Sequence, residues 1–447
     1  MAIEDYPRPP NDTGIGFHYC TGAPQFGYEA LSFWLRELKE LGASWLIVPC
    51  GFPSAVPDQF LAELVSNEIE PVIGLHLQPI APMDAAVLGG LLRRYAGLGV
   101  HYVYLFRDAN NLEMWEPAEW ARPGLVGRFM EILWSGLERI LEAGLWPVFT
   151  PPCPGGHYWD TTFLASCLDW INQRGKQHLC DRLAIGMQNY ASNRPLSWGQ
   201  GGRKRWPAAR PYRCPLGCQD HRGFRMFEWY DEIVRARFGR SLPLIAIENG
   251  LVVGTRNSPE FPAVDQEMHA RQVQDMTRLL MYNEVPDYVF NNAFWALEAG
   301  GGESFEGHAW YRRDGSRLPA VAALKAMPKR PRLRHRGNRS AEGSTAKAIA
   351  HYLLLPDAPS GRQLSRMEAL LPLIAKHRLT VGFRPEEARQ AQHVTLLATE
   401  DDISVAVEVE LREAGCQVVR VLPGESPWST ERRLTEALEG KSLAALA

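Results

Sequence analysis

The sequence predicts a (β/α)8 TIM barrel followed by a small doubly wound α/β domain. Three observations lead there. Between residues 14 and 327 an apolar strand-like run alternates eight times with a segment of helical periodicity, over a length within the range of such barrels. One of those runs, Pro243-Leu244-Ile245-Ala246-Ile247, stops at Glu248 and is followed by Asn249-Gly250. Continuous apolar runs of this kind fit strands covered on both faces, and an acid at the carboxyl end stands where parallel barrels build their sites. Finally, a basic stretch rich in Pro, Gly and Ser at 328–347 separates this block from a second, tighter alternation at 348–447.

The elements follow in order. Strand one spans 14–20, and Tyr28 to Leu41 is a helix with Leu31, Trp34, Leu35, Leu38 and Leu41 on one face and Gly42 as its stop. Ser44–Cys50, Pro71–Leu77 and His101–Phe106 are strands two to four, separated by helices Pro57–Ile69 and Ala85–Gly97. A long helix, Leu125–Ala143, leads to strand five at Trp146–Thr150, and Thr161–Asp181 is the next helix. Leu183–Tyr190, Leu242–Ile247 and Tyr288–Leu297 are strands six to eight, with helices Phe224–Phe238, Val264–Asn283 and Leu318–Ala326 after them. Strands alternating with helices argue for a parallel sheet. Beyond the basic stretch, read as a solvated linker, four strands (Ala350–Leu355, Leu379–Phe383, Val394–Ala398, Gln417–Leu422) alternate with helices Ser365–Lys376, Pro385–Ala391, Ile403–Ala414 and Thr430–Leu438. This domain has no Gly-x-Gly-x-x-Gly and no phosphate loop, and is read as a binding or assembly module. Asp401 and Asp402, just after a strand, are placed to cap the next helix.

Bulk properties exclude several classes. The chain has 447 residues, of which 45% are hydrophobic and 22% charged, an ordinary globular composition. A formal net charge of −3 gives no general pull toward nucleic acid or membrane. No apolar stretch is long enough to span a bilayer. The start, with Glu4 and Asp5 and no apolar core, does not read as a signal peptide, so the expected location is cytoplasmic, with signal-free export left open. Eight Cys are scattered; only Cys214 and Cys218 are close, and no second pair completes a zinc site, so free buried thiols are expected and no metal or cofactor. Fourteen Trp and fourteen Tyr mostly serve the core, but they also supply flat faces on which sugars stack.

Barrel chemistry draws on several strand ends. Strand four ends Tyr104-Leu105-Phe106-Arg107-Asp108-Ala109-Asn110-Asn111, which puts Asp108 across the mouth from Glu248. Facing carboxylates suit glycosidic cleavage, with the pair ~5–5.5 Å apart in retaining enzymes and ~6.5–9.5 Å apart in inverting ones. Strand six ends Gln188-Asn189-Tyr190, offering an amide and a hydroxyl to sugar hydroxyls; strand eight carries Trp295, a candidate apolar floor. His18, on strand one, is expected near the same mouth as a hydrogen-bonding wall residue.

In this order the motifs resemble the clan A retaining glycoside hydrolases over about residues 14–327. There an Asn-Glu-Pro follows strand four, a Glu nucleophile ends strand seven and a Trp lies on strand eight. The resemblance implies Glu248 as nucleophile, Asp108 as acid/base, and Arg107, Asn110, Asn189, Tyr190 and Trp295 as substrate-binding residues, to which His18 is added from its place on strand one. Asn189-Tyr190 is similar to the family's His-Asn-Tyr with Gln188 in place of His, and His308 to Gly315, with Pro319 and Ala323-Leu324-Lys325, resembles the clan's barrel ending. The sequence departs from the pattern where it matters. Arg107-Asp108-Ala109-Asn110 stands for Asn-Glu-Pro-Asn, so the acid is one methylene shorter, ~1.5 Å. A misplacement of about 1 Å can cost about 100-fold in rate. A guanidinium beside Asp108 would also favour the ionised form, the opposite of what a general acid needs.

A long insertion, Ala191–Gly223, leaves strand six with Arg194, Arg203, Lys204, Arg205, Arg210, Arg213 and Arg222 against one acid, Asp220, and with Trp198, Trp206 and Tyr212. Loops of this length are functional or disordered. It is either a basic, aromatic lid that selects an anionic glycan, or a solvated loop or one docked on the C-terminal domain. The expected activity is O-glycoside hydrolysis, the expected partner an oligo- or polysaccharide, anionic on the first of these readings. The alternatives are a carbohydrate-binding protein without turnover on the same scaffold, and an assembly protein with a vestigial barrel site.

Overall fold

The computed structural model describes residues 1–20, 26–299, 303–332, 347, 349–356, 370–377, 379–424 and 426–438. The chain separates into two compact units, Met1–Gly337 and Asn338–Ala447.

The first unit is a closed barrel of eight parallel strands in sequence order: β1 (Ile15–His18), β2 (Trp45–Gly51), β3 (Glu70–His76), β4 (Tyr102–Leu105), β5 (Trp146–Phe149), β6 (Ala184–Tyr190), β7 (Leu244–Gly250) and β8 (Asn292–Phe294). Each strand splits its residues by parity. Ile15, Phe17, Leu46, Val48, Ile73, Leu75, Val103 and Leu105 pack outward in the large core shared with the helices. Trp45, Ile47, Val72, Tyr102, Tyr104, Ile245 and Ile247 form a separate core inside the ring, which Tyr6 and Phe290 extend. Burial of each such large side chain contributes about 1.5–3 kcal/mol. The inner space is tight: a Cβ on Gly74 would lie 2.3 Å from the Tyr104 ring and hydroxyl, so glycine there admits the tyrosine.

Two elements differ from expectation. The helix read as Thr161–Asp181 runs Asp160–Gln173; Gly175, at φ +65°, turns the chain, and Gln177–Asp181 is a short 3₁₀ turn. The eighth strand, expected over Tyr288–Leu297, is only Asn292–Phe294, although the N–H groups of Phe290 and Trp295 still donate to β7, to the carbonyls of Leu244 and Asn249, both at 2.9 Å. Of the basic stretch expected at 328–347, residues 328–332 lie on the barrel. Arg332 is buried and donates from Nη1 to the carbonyls of Val289 (2.7 Å) and Phe290 (3.0 Å). Residues 333–346 lie outside the described residues.

The second unit holds a parallel sheet in the order β10-β9-β11-β12, from β9 (Ile349–Leu354), β10 (Thr380–Gly382), β11 (Ala391–Leu397) and β12 (Gln417–Val421). Starting in the middle and adding strands on both sides is the doubly wound topology. Two apolar clusters flank it, one around Tyr352, Val394 and Leu396 and one around Leu353, Leu397 and Leu434. The helix expected over Ser365–Lys376 is described only from residue 370. Asp402 does not cap the following helix. Its Oδ2 accepts from the Thr399 backbone N–H and hydroxyl, and Ser404 takes the N-cap position. No described helix is long and apolar enough to cross a membrane.

Candidate active site

Glu248 reaches the barrel mouth through a bulge. Strict alternation from Ile245 would send Ile247 inward and Glu248 out toward the helices. The β6–β7 register shifts after Met187↔Ala246 to Gln188↔Glu248, leaving Ile247 unpaired. Ile247 stays in the inner core, and Glu248 turns inward beside Gln188. A bulge re-aims side chains in this way next to functional sites.

Asp108 arrives by a different device. β4 ends at Leu105, and Phe106 and Asp108 both hold positive φ, +62° and +50°. Asp tolerates this left-handed region better than most residues. The Asp108 backbone N–H donates to the Pro151 carbonyl at 3.1 Å, which ties the turn to the segment after β5.

The two acids meet at one guanidinium. Arg107 Nε donates to Asp108 Oδ2 at 2.9 Å, and Arg107 Nη1 lies 3.7 Å from Glu248 Oε1. Both carboxylates are buried, while Arg107 is 42% exposed on the solvent side. The remaining oxygens are also engaged: Gln188 Nε2 donates to Asp108 Oδ1 at 2.6 Å, and the Tyr190 hydroxyl donates to Glu248 Oε2 at 2.8 Å. Burial pushes the Glu248 carboxyl up. Arg107 pulls it down, the charge of Asp108 pushes it up again, and the Tyr190 hydrogen bond lowers it; the balance stands at about 7. Burial opposes the Arg107 charge, but Glu248 and Asp108 more than offset it and hold the guanidinium above its ordinary basicity.

Gln188 and Tyr190 open onto a cleft of about 460 Å³, lined also by Cys153, Trp295, Phe305, His308, Arg194 and Arg222. The Trp295 indole donates from Nε1 to His308 Nδ1 at 3.3 Å and packs 4.6 Å from the His18 ring. His18 is buried, and its Nδ1 has no hydrogen-bond partner among the described residues. Burial, then the charges of Arg107 and His76, drive its pKa well below the ordinary value, so it stays neutral. His76 is held at about 3 by the same burial and by Arg107, and its Nε2 meets the Tyr104 hydroxyl at 3.3 Å.

Two candidates are placed elsewhere. Asn110 is fully buried and holds loops together: its Nδ2 donates to the carbonyls of Cys153 and Tyr158, both at 2.8 Å, and its Oδ1 accepts from the Cys153 N–H at 2.7 Å. No polar atom of its amide is left over for a sugar. Asn189 points out of the ring and donates to the Phe224 carbonyl at 3.3 Å. The strand-six amide at the mouth is Gln188, and the two-residue strand period that pairs it with Tyr190 could have found it. Tyr104 and Cys153 had no sequence signal beyond inward parity or loop position.

The two ends of the insertion pack onto the barrel, while most of residues 203–217 are exposed. Asn193 is fully buried, donating to the Ser258 carbonyl at 2.8 Å and accepting from the Ser258 N–H at 2.9 Å. Trp198 Nε1 donates to Asp220 Oδ1 at 3.1 Å, so this indole is structural. Not all thiols are buried as expected: Cys214 is exposed, and its Sγ donates to the Cys218 carbonyl.

Neither a family model nor a curated protein matches the chain. Among solved structures it is similar to a family 39 glycoside hydrolase from the gut symbiont Bacteroides cellulosilyticus WH2, at 13% identity and a TM-score of 0.47 over 73% of this chain and 64% of that one. It is also similar to a GH128 endo-β-1,3-glucanase from Sorangium cellulosum, at 15% identity and a TM-score of 0.40 over 70% of this chain and 98% of that one. A β-glucuronidase from Bacteroides uniformis matches at 11% identity and a TM-score of 0.43, over 76% of this chain and 37% of that one. The chain thus spans less than two thirds of the first and the third of these proteins.

Proposed function

We propose that the barrel acts on O-glycosides, with Glu248 as the nucleophile and Asp108 as a weak acid/base. The observation that carries this reading is the meeting of two carboxylates, from the ends of β4 and β7, at one guanidinium beside a walled cleft. In the first step the Glu248 carboxylate attacks the anomeric carbon as the C–O bond to the leaving group breaks, and the departing oxygen takes a proton from the Asp108 carboxyl, which recovers it from the water of the second step. Water then hydrolyses the glycosyl ester.

Asp108 is badly set for the proton. Both its oxygens accept hydrogen bonds, from Arg107 and Gln188, so a proton there would displace a donor. This supports cleavage limited by leaving-group departure, and it is the specific ground for a second reading in which the cleft binds glycans with little turnover. General acid catalysis contributes about 100- to 10,000-fold. Dinitrophenyl glycosides, whose leaving group needs no proton, should therefore turn over while alkyl glycosides lag by that order, and Glu248→Gln should abolish the activity. Binding of oligosaccharides without turnover of any aryl glycoside would select the second reading. Turnover that survives Glu248→Gln would reject the first.

A further inference from the structure

One wall of the cleft carries a cation that is ion-paired with no carboxylate among the described residues. Arg194 and Arg222, both from the insertion after β6, line this wall. Arg222 is spoken for: its Nε donates to Asp220 Oδ2 at 2.7 Å, and its guanidinium lies over the Trp159 ring. Arg194 differs. It stacks on Trp198, 5.0 Å from the ring centroid, and its Nη1 donates to the Arg222 carbonyl. Its Nε is buried with no hydrogen-bond partner among the described residues. Among the described residues no carboxylate is ion-paired with it, and burial lowers its basicity more than Asp220 and Glu260 restore it. Its neighbours along the cleft, Ser192, Thr255 and Asn257, are neutral hydrogen-bonding residues. The catalytic pair, Asp108 and Glu248, faces a different guanidinium, that of Arg107.

A half-buried guanidinium pinned by an aromatic face and a carbonyl is costly to hold without an anion. Its planar fork matches a carboxylate or a sulfate in two-pronged fashion. We propose that the cleft selects an anionic glycan, a sugar bearing a carboxylate or a sulfate ester, and that Arg194 is the residue that recognises the charge. This rests on the reading that the cleft takes a sugar, but not on turnover.

The test measures binding alone, by calorimetry on the full chain. The probes are thio-linked disaccharides in gluco, galacto and manno series, each made with a terminal hydroxymethyl group, a C6 carboxylate or a 6-O-sulfate. A charge-assisted contact predicts an anionic probe bound about tenfold or more tightly than its neutral twin. Arg194→Gln should bring the pair to near equality, and Arg194→Lys, which keeps the charge but not the fork, should fall between them. The carboxylate and sulfate arms identify the anion. Equal binding of neutral and anionic probes to the unaltered protein overturns the proposal and leaves the glycoside reading intact. A preference that survives in a folded Arg194→Gln protein overturns the role of Arg194. Should that variant not fold, the unaltered protein and Arg194→Lys decide. If no probe of any series binds, both this proposal and the glycoside reading fall.

Discussion

Replacing Glu248 by Gln should make the barrel more stable at pH 8 and leave it nearly unchanged at pH 4. Burial is the leading cause that moves the Glu248 carboxyl from its ordinary 4.5 to about 7. In that window the folded protein holds the proton while the unfolded chain has released it, so the native state binds more protons and stability falls as pH rises. The contribution is complete below 4.5 and is lost as pH passes through about 7. At about 1.4 kcal/mol per pH unit the ionised carboxylate costs the fold roughly 3 kcal/mol at pH 8. Gln cannot ionise, and its amide oxygen can still accept the hydrogen bond from Tyr190, while Arg107 keeps Asp108. Urea unfolding followed by tryptophan fluorescence reports on the barrel, since every Trp but Trp428 lies in it. The variant should gain on the unaltered protein between pH 4 and pH 8, reaching roughly 3 kcal/mol. Parallel stability profiles, or a less stable variant at pH 8, would refute the reasoning that Glu248 is held above its ordinary range.

Three further outcomes follow from the same geometry. Arg107→Met removes the larger of the two influences that lower Glu248, so the acid limb of kcat/KM on activated aryl glycosides should move above about 7; an unmoved limb contradicts the placement of the guanidinium. Asn110→Ala leaves the Cys153 N–H and two carbonyls unpaired and should cost about 2–4 kcal/mol in urea unfolding with little change in ligand affinity; lost binding at full stability would return Asn110 to the cleft. Gly74→Ala drives a methyl into Tyr104 and should cost about 1–3 kcal/mol with a shift in the near-ultraviolet circular dichroism, whereas an unchanged spectrum and stability would mean that the inner core is looser than described.

The barrel was legible because each of its strands is covered on both faces and reads as an apolar run, while the helices between them keep one apolar stripe, as Leu31, Trp34, Leu38 and Leu41 do. The strand ends were less so. Glu248 was readable as an acid at the end of a strand, but its inward aim depends on an unpaired Ile247, and a bulge made by an ordinary isoleucine leaves no mark in composition. Asn189 was placed at the mouth on resemblance, when the alternation of β6 puts Gln188 and Tyr190 there instead. Asn110 lies two residues from Asp108, yet the left-handed turn at Asp108 sends the chain back toward Cys153, which no local pattern announces. Arg107 was visible as a departure from the resembling motif, and from its position between the two acids it is the strongest influence that lowers Glu248 against the burial that raises it.

The central claim is that Glu248 is the group that bonds to a sugar. A panel of 2-deoxy-2-fluoro glycosides with dinitrophenyl or fluoride leaving groups tests it most directly, because such reagents form the glycosyl ester quickly and release it slowly. Peptide mass mapping after inactivation should find one ester, on Glu248, and none in the Asp108→Asn or unaltered protein at any other carboxylate. An ester on a different residue, or no labelling from any member of the panel, would contradict the account.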